Sequence, residues 1–316
     1  MENKTILVAL GGNAILQPGQ FASYENQLHN VKTSCEVLAK IVKQGYRLII
    51  THGNGPQIGN IIRQNEEAVS EVPPMPMDVC SAESQGFIGY MIQQSMINEL
   101  IKLGVEISVA TLITRVEVDE NDSAFKNPTK PIGMFYSEEE AKKLMSEKQW
   151  ILKSDANRGW RRVVPSPKPV NIVEIKSIKK LIEEGNIVIA CGGGGIPVMK
   201  HKDNTYKGLE AVIDKDRSSC KLAEQVDADM FIILTDVENA CVSYGKENQK
   251  SLKKVSVKEL EQHIQKGEFS KGSMLPKIES AIEFVKRTDG TSIICALDKV
   301  ELAIKGIAGT IVNSYK

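Results

Sequence analysis

Several short, unbroken apolar runs end in glycine or aspartate and alternate with longer segments of helical period. Runs that are apolar on both faces belong to strands covered on both sides, the condition of a parallel sheet between helical layers. The clearest strands are TILVAL (5–10), YRLIIT (46–51), ISVATLI (107–113), IVIAC (187–191), MFIILT (230–235) and TSIIC (291–295). Helices are expected over about Asn26 to Gln44, Ala82 to Leu103, Ile175 to Glu184, Arg217 to Val226 and Pro276 to Lys286. Such alternation predicts an open α/β sandwich. The 316 residues suffice for one large domain or two smaller ones, with a substantial core and no staple.

Residues 117–169 break this rhythm with clustered prolines and high charge. Within them Ser137 followed by Glu140 is a capping box that predicts a short helix. A structureless loop of this length is unusual, so the segment reads as a small inserted subdomain near a functional site.

Three strands run straight into glycine-rich turns: VALGGNA (Gly11, Gly12, Asn13), ITHGNGP (Gly53, Asn54, Gly55) and IACGGGGIP (Gly192 to Gly195). Ligands of open α/β sheets bind beyond the strand C-termini, where glycine lets backbone N–H groups approach an anion. Any one of these turns is as readily a plain turn; the three together point to an anionic ligand. Pro56 suits the first position of a helix whose N-terminus favours negative charge. A dinucleotide fingerprint fails, because the glycines from Gly53 fall as G-x-G-x-x-x-G and the place of the ribose-binding acid reads EVPPMPM. The Walker and protein-kinase loops are also missing.

Forty basic and forty acidic side chains cancel, which argues against nucleic acid or an anionic membrane as partner and favours a small molecule. Six scattered cysteines without a C-x-x-C pair, and four histidines, suggest neither zinc nor a disulfide framework. They read as reduced thiols of a soluble, cytoplasmic protein. The N-terminal apolar run is too short for a signal peptide, and no stretch approaches the roughly 18 apolar residues of a membrane span.

Lysines stand in unusual places. Lys215 lies between Asp214 and Asp216 where a helix begins. Either Asp216 is an N-cap and Lys215 a solvated loop residue, or the lysine aims at phosphate oxygens, steadied by an Asp216 that is also open to Mg2+. Lys277 follows Pro276 in the first turn of a helix, where a cation is mildly unfavourable unless an anion sits nearby. Lys130 is held between Pro128 and Pro131, which stiffen the chain. His52, without an obvious carboxylate or nucleophile in sequence, reads as structural, and Gly86 and Gly89 in QGFIGYMIQQSM allow a close helix contact that makes a dimer plausible.

The ordered set LVALGGNAI, THGNGPQIG, SAESQGFIGYM, NPTKPIGMFY, RRVVPSPKP, CGGGGIPV, AVIDKDRSS, LTDVENA and GSMLPKIESAIEF resembles that of the carbamate kinases in the amino-acid-kinase superfamily. The resemblance spans residues 5 to about 286. It implies one domain over 1–316, a three-layer α/β/α sandwich around a mainly parallel, roughly eight-stranded sheet. It also implies a carbamate and phosphoryl lobe over 1–208 carrying the insert, a nucleotide lobe over 209–316, and a homodimer. The implied activity is Mg2+-dependent phosphoryl transfer between ATP and carbamate, with ADP and carbamoyl phosphate as products, usually run toward ATP in the arginine deiminase route.

Position by position, the resemblance implies that Gly11, Gly12, Asn13, Gly53, Asn54 and Gly55 hold carbamate and the transferred phosphoryl group. Lys130 would reach the carbamoyl phosphate, and Lys215 and Lys277 the phosphoryl group and ATP phosphates, with Asp216 organising them and a candidate for Mg2+. Asp236, Val237, Tyr244 and Met274 fall to the nucleotide, with Cys241 close enough for a bulky modification to block ADP, unless it is a buried, inert thiol. Asn157 departs from the glycine common in the family, a change a left-handed turn tolerates. Two alternatives stay open: a superfamily kinase of a larger acid such as acetylglutamate or aspartate, and a nucleotide sensor without catalysis.

Overall fold

The computed structural model describes residues 4–154, 159–270 and 272–314; Asn157 lies outside them. Its central sheet has eight strands, β1 (Thr5–Leu10), β2 (Arg47–His52), β3 (Val109–Thr111), β4 (Ile187–Ile189), β5 (Met230–Thr235), β6 (Lys254–Ser256), β7 (Thr291–Ala296) and β8 (Thr310–Asn313). They lie in the order β6-β8-β7-β5-β1-β2-β4-β3. Six run parallel, whereas β8 is antiparallel to β7 and carries β6 in its own direction.

Alternate side chains of each central strand enter opposite cores. Ile6, Val8, Leu10, Leu48, Ile50 and Ile232 pack against α1 (Tyr24–Lys43) and α3 (Met77–Lys102). Leu7, Ala9, Ile49, Phe231 and Ile233 pack against α5 (Ile175–Glu183), α6 (Lys215–Gln225) and α8 (Met274–Arg287). The result is the expected three-layer sandwich around a mainly parallel eight-stranded sheet. Three further helices complete the described set, α2 (Gly55–Glu67), α7 (Val257–Gln265) and α9 (Val300–Ile304), together with α4 (Glu138–Lys148) between residues 117 and 169.

All six expected strands are present, but ISVATLI shrinks to three residues. Beyond it the Thr114 amide donates to Gln85 Oε1 at 2.8 Å, so a side chain replaces the strand partner. The edge strand β6 and its neighbour β8 escape a sequence reading because three or four residues carry too little periodicity. Helix α7 had a legible signal, the Ser256–Glu259 capping box. Helix α3 starts at Met77, five residues before the expected Ala82.

Between residues 130 and 164 the strands Lys130–Tyr136, Trp160–Val164 and Leu152–Ser154 form a separate antiparallel sheet with α4 against it. The Ser137–Glu140 box caps α4 as expected. This unit rests on α2, where a Cβ on Gly59 would stand 3.1 Å from the Gly133 Cα. All six cysteines are free, and only Cys241 is less than fully buried. Among the described residues no helix is long and apolar enough to cross a membrane.

Candidate active site

The first two glycine turns leave neighbouring strands β1 and β2, and the Gly53 N–H donates to the Leu10 carbonyl at 3.1 Å. Gly11 is pressed by β5, where a Cβ would lie 3.0 Å from the Leu234 carbonyl oxygen, whereas a Cβ on Gly12 or Gly55 would meet nothing within 4 Å. Helix α2 starts at once behind the second turn, with Pro56 in its first turn. Asn54 is buried and donates through Nδ2 to Ser84 Oγ on α3 at 2.8 Å. Gly11, Gly12, Asn13, Gly53, Asn54 and Gly55 all line one cavity of about 770 Å3, so the structure brings both turns to one place.

The third turn has a different task. A Cβ on Gly192 would stand 2.4 Å from His52 Nε2, on Gly193 2.1 Å from Asn54 Nδ2, on Gly194 2.2 Å from the Ile213 carbonyl oxygen and on Gly195 2.2 Å from Val116 Cγ2. Four glycines are needed because the neighbouring chain presses on each. Of the four, only Gly193 reaches the cavity. The expectation of three equivalent cradles is therefore corrected: the third turn supports the residues behind the other two.

Lys130, Lys215, Asp216 and Lys277 converge on the same cavity from the insert, α6 and α8. Asp216 is 4% exposed and accepts from Lys215 Nζ at 2.6 Å through Oδ1 and from Lys277 Nζ at 2.9 Å through Oδ2. Burial opposes ionisation of Asp216, but the two ammonium groups outweigh it and hold its carboxyl far below the usual range. Burial pulls the Lys215 ammonium down, opposed by Asp216 and aided by Lys277. The reading of Lys215 as a solvated loop residue fails, and so does that of Asp216 as N-cap. Asp214 caps α6, accepting from the Asp216 and Arg217 amides. Its other oxygen accepts from Lys130 Nζ at 2.8 Å. The anion that compensates Lys277 at its helix N-terminus is thus the protein's own Asp216.

Beside this cavity lies a smaller one of about 200 Å3, sharing Thr235, Asp236, Ser273 and Lys277 with it. Val237, Tyr244, Met274 and the half-buried Cys241 line it. Every residue singled out in the sequence for the nucleotide therefore meets at one opening. His52 is buried, its Nδ1–H donates to the Gly53 carbonyl at 2.9 Å, and burial lowers its pKa to about 4, so the ring is neutral.

The model of the Amino acid kinase family matches residues 4–296. A carbamate kinase of Pyrococcus furiosus is 52% identical over 309 residues, 97% of this chain and 98% of that one. The chain belongs to the carbamate kinase branch of the amino acid kinase family. A carbamate kinase from Giardia lamblia bound to AMP-PNP superposes with a TM-score of 0.93 at 44% identity, covering 98% of both chains. A Giardia lamblia carbamate kinase thiocarbamoylated by disulfiram on a cysteine matches with a TM-score of 0.91 at 43% identity over 99% of both.

In this member of the carbamate kinase family, Asp216 does not fit a resident Mg2+ site. Both oxygens already face ammonium groups that would repel a dication, and among the described residues no group of three or more His, Cys, Asp or Glu could hold a metal. Sequence reasoning missed Asp214 as cap and Lys130 partner, and Ser84 behind Asn54. The first had a signal, an aspartate directly before a helix; the second, 30 residues from Asn54, had none.

Proposed function

We propose that the protein transfers a phosphoryl group reversibly between ATP and carbamate, giving ADP and carbamoyl phosphate. The observation that carries this reading is Asp216 clamping Lys215 and Lys277 beside two glycine turns in one cavity. Carbamate is already an anion. Its oxygen forms the new P–O bond as the bond to the ADP oxygen breaks, and no proton needs removal, which agrees with a neutral His52 that is bonded to backbone. The work left to the protein is in-line placement and compensation of negative charge on the transferred group.

In this reading Gly11, Gly12, Asn13, Gly53, Asn54 and Gly55, in the lobe 1–208, hold carbamate and the moving phosphoryl group. Lys130 meets the carbamoyl phosphate from the insert, Lys215 and Lys277 meet the phosphoryl group and ATP phosphates, and Asp236, Val237, Tyr244 and Met274 take the nucleotide in the lobe 209–316. Mg2+ enters with the nucleotide phosphates as part of the substrate. The proposal includes a cytoplasmic homodimer run toward ATP in arginine breakdown by the deiminase route.

Incubation with ADP and carbamoyl phosphate should form ATP; ATP from acetylglutamate or aspartate phosphates instead would favour the larger-acid alternative. Lys277→Ala should lower kcat by about 10²- to 10³-fold. Unchanged turnover in that variant would favour a sensor. A maleimide adduct on Cys241 should abolish ADP binding, with ADP protecting the thiol; full activity after stoichiometric labelling would exclude this placement.

A further inference from the structure

We propose that Asp214 is a positioning residue of the transfer, its single carboxylate holding the insert's Lys130 in register with the helix that carries Lys215 and Asp216. The role assigned to Lys130 rests on the function proposed above. The two oxygens of Asp214 divide the task. Oδ1 accepts from the amides of Asp216 at 3.0 Å and Arg217 at 3.4 Å, closing the N-terminus of α6, and Oδ2 accepts from Lys130 Nζ at 2.8 Å.

The backbone beneath is tightly seated. A Cβ on Gly194 would stand 2.2 Å from the Ile213 carbonyl oxygen, and Ser218 Oγ on α6 donates to the Gly194 carbonyl at 2.5 Å. Lys130 comes from the other side, at the start of a strand registered on Val164 and packed on α2. Without a partner its four-carbon stem would sample many rotamers. Paired with Asp214, the ammonium keeps two of its three N–H donors for an anion in the cavity.

A negative charge at this place opposes anion binding, so its benefit lies in orientation rather than affinity. That makes the role separable. Asp214→Asn retains the cap, for which Asn and Asp are about equally suited, and removes the charge that fixes Lys130. With ADP and carbamoyl phosphate, kcat should fall by about 10²-fold. Binding of inorganic phosphate, read by calorimetry, should not weaken, and Tm should hold. In a Lys130→Ala background the same substitution should lower kcat no further.

An unchanged kcat, or an equal loss in both backgrounds, would overturn the proposal. Trace labelling with acetic anhydride supplies an arm that needs no turnover. Asp214→Asn should raise the reactivity of Lys130 several-fold relative to the exposed Lys176, and equal reactivity would refute the pairing. Should the wild-type protein form no ATP, the proposed function falls while this arm still decides the pairing. If Asp214→Asn does not fold, Asp214→Ser, which also caps, carries the same comparisons.

Discussion

A carboxylate with ammonium groups at 2.6 and 2.9 Å stays ionised in a buried place only because both partners are there. Asp216 is therefore both a structural centre of charge and the group that aims two lysines. His52 shows the opposite solution, a titratable ring kept neutral by burial. Its folded pKa of about 4 lies below the ordinary 6.5, so the unfolded chain takes up the proton first. Stability from this group is complete above about pH 6.5, falls as pH drops toward 4, and amounts to roughly 3 kcal/mol in full. Calorimetry of His52→Gln should show a smaller loss of Tm between about pH 7 and 5 than the wild type. Equal losses would mean that His52 is protonated in the fold.

The tetraglycine turn after β4 is where local chemistry and tertiary pressure meet. Gly193 has φ +67° and a Cβ there would lie 2.1 Å from the Asn54 amide. Gly193→Ala should cost about 1–3 kcal/mol, displace Asn54 from Ser84 and raise KM for carbamoyl phosphate while leaving that for ADP. Gly12→Ala is the control for stability, since a Cβ on Gly12 meets nothing within 4 Å. A Gly193→Ala protein with wild-type Tm and KM would show that the turn has slack. Helix α2 is a second element with two contacts, since it follows the Gly53–Gly55 turn directly and bears the insert through Gly59.

Helix α3 carries exposed apolar side chains. Phe87 and Tyr90 of α3 are 37% and 60% exposed, and Tyr90 lines one depression with Ile113, 46% exposed. Exposed apolar side chains on one helix suit an interaction surface, and this is where the homodimer proposed above would form. Gly89 does not serve that contact as first expected, because a Cβ there would stand 2.3 Å from Thr111 Cγ2 inside the same chain; Gly86 is open. Light scattering should give twice the 34.8 kDa of one chain for the wild type and a single chain for Phe87→Lys/Tyr90→Lys. A wild-type monomer at micromolar concentration would remove the dimer from the proposal.

Periodicity and turn chemistry act over a few residues, so the buried strands, the Ser137 cap and the glycine turns at the strand ends were legible in the sequence alone. From the residues alone the lysines were legible as misplaced charges, and only the family resemblance grouped Lys215 and Lys277 with Asp216. Lys277 and Asp216 are 61 residues apart and Lys130 and Asp214 are 84 apart, and no local pattern encodes either pairing. Only the crossing of the insert, α6 and α8 over one strand edge brings these charges together. The same crossings gave the third glycine turn its role, because steric pressure from distant chain, rather than a ligand, is what forbids a side chain there.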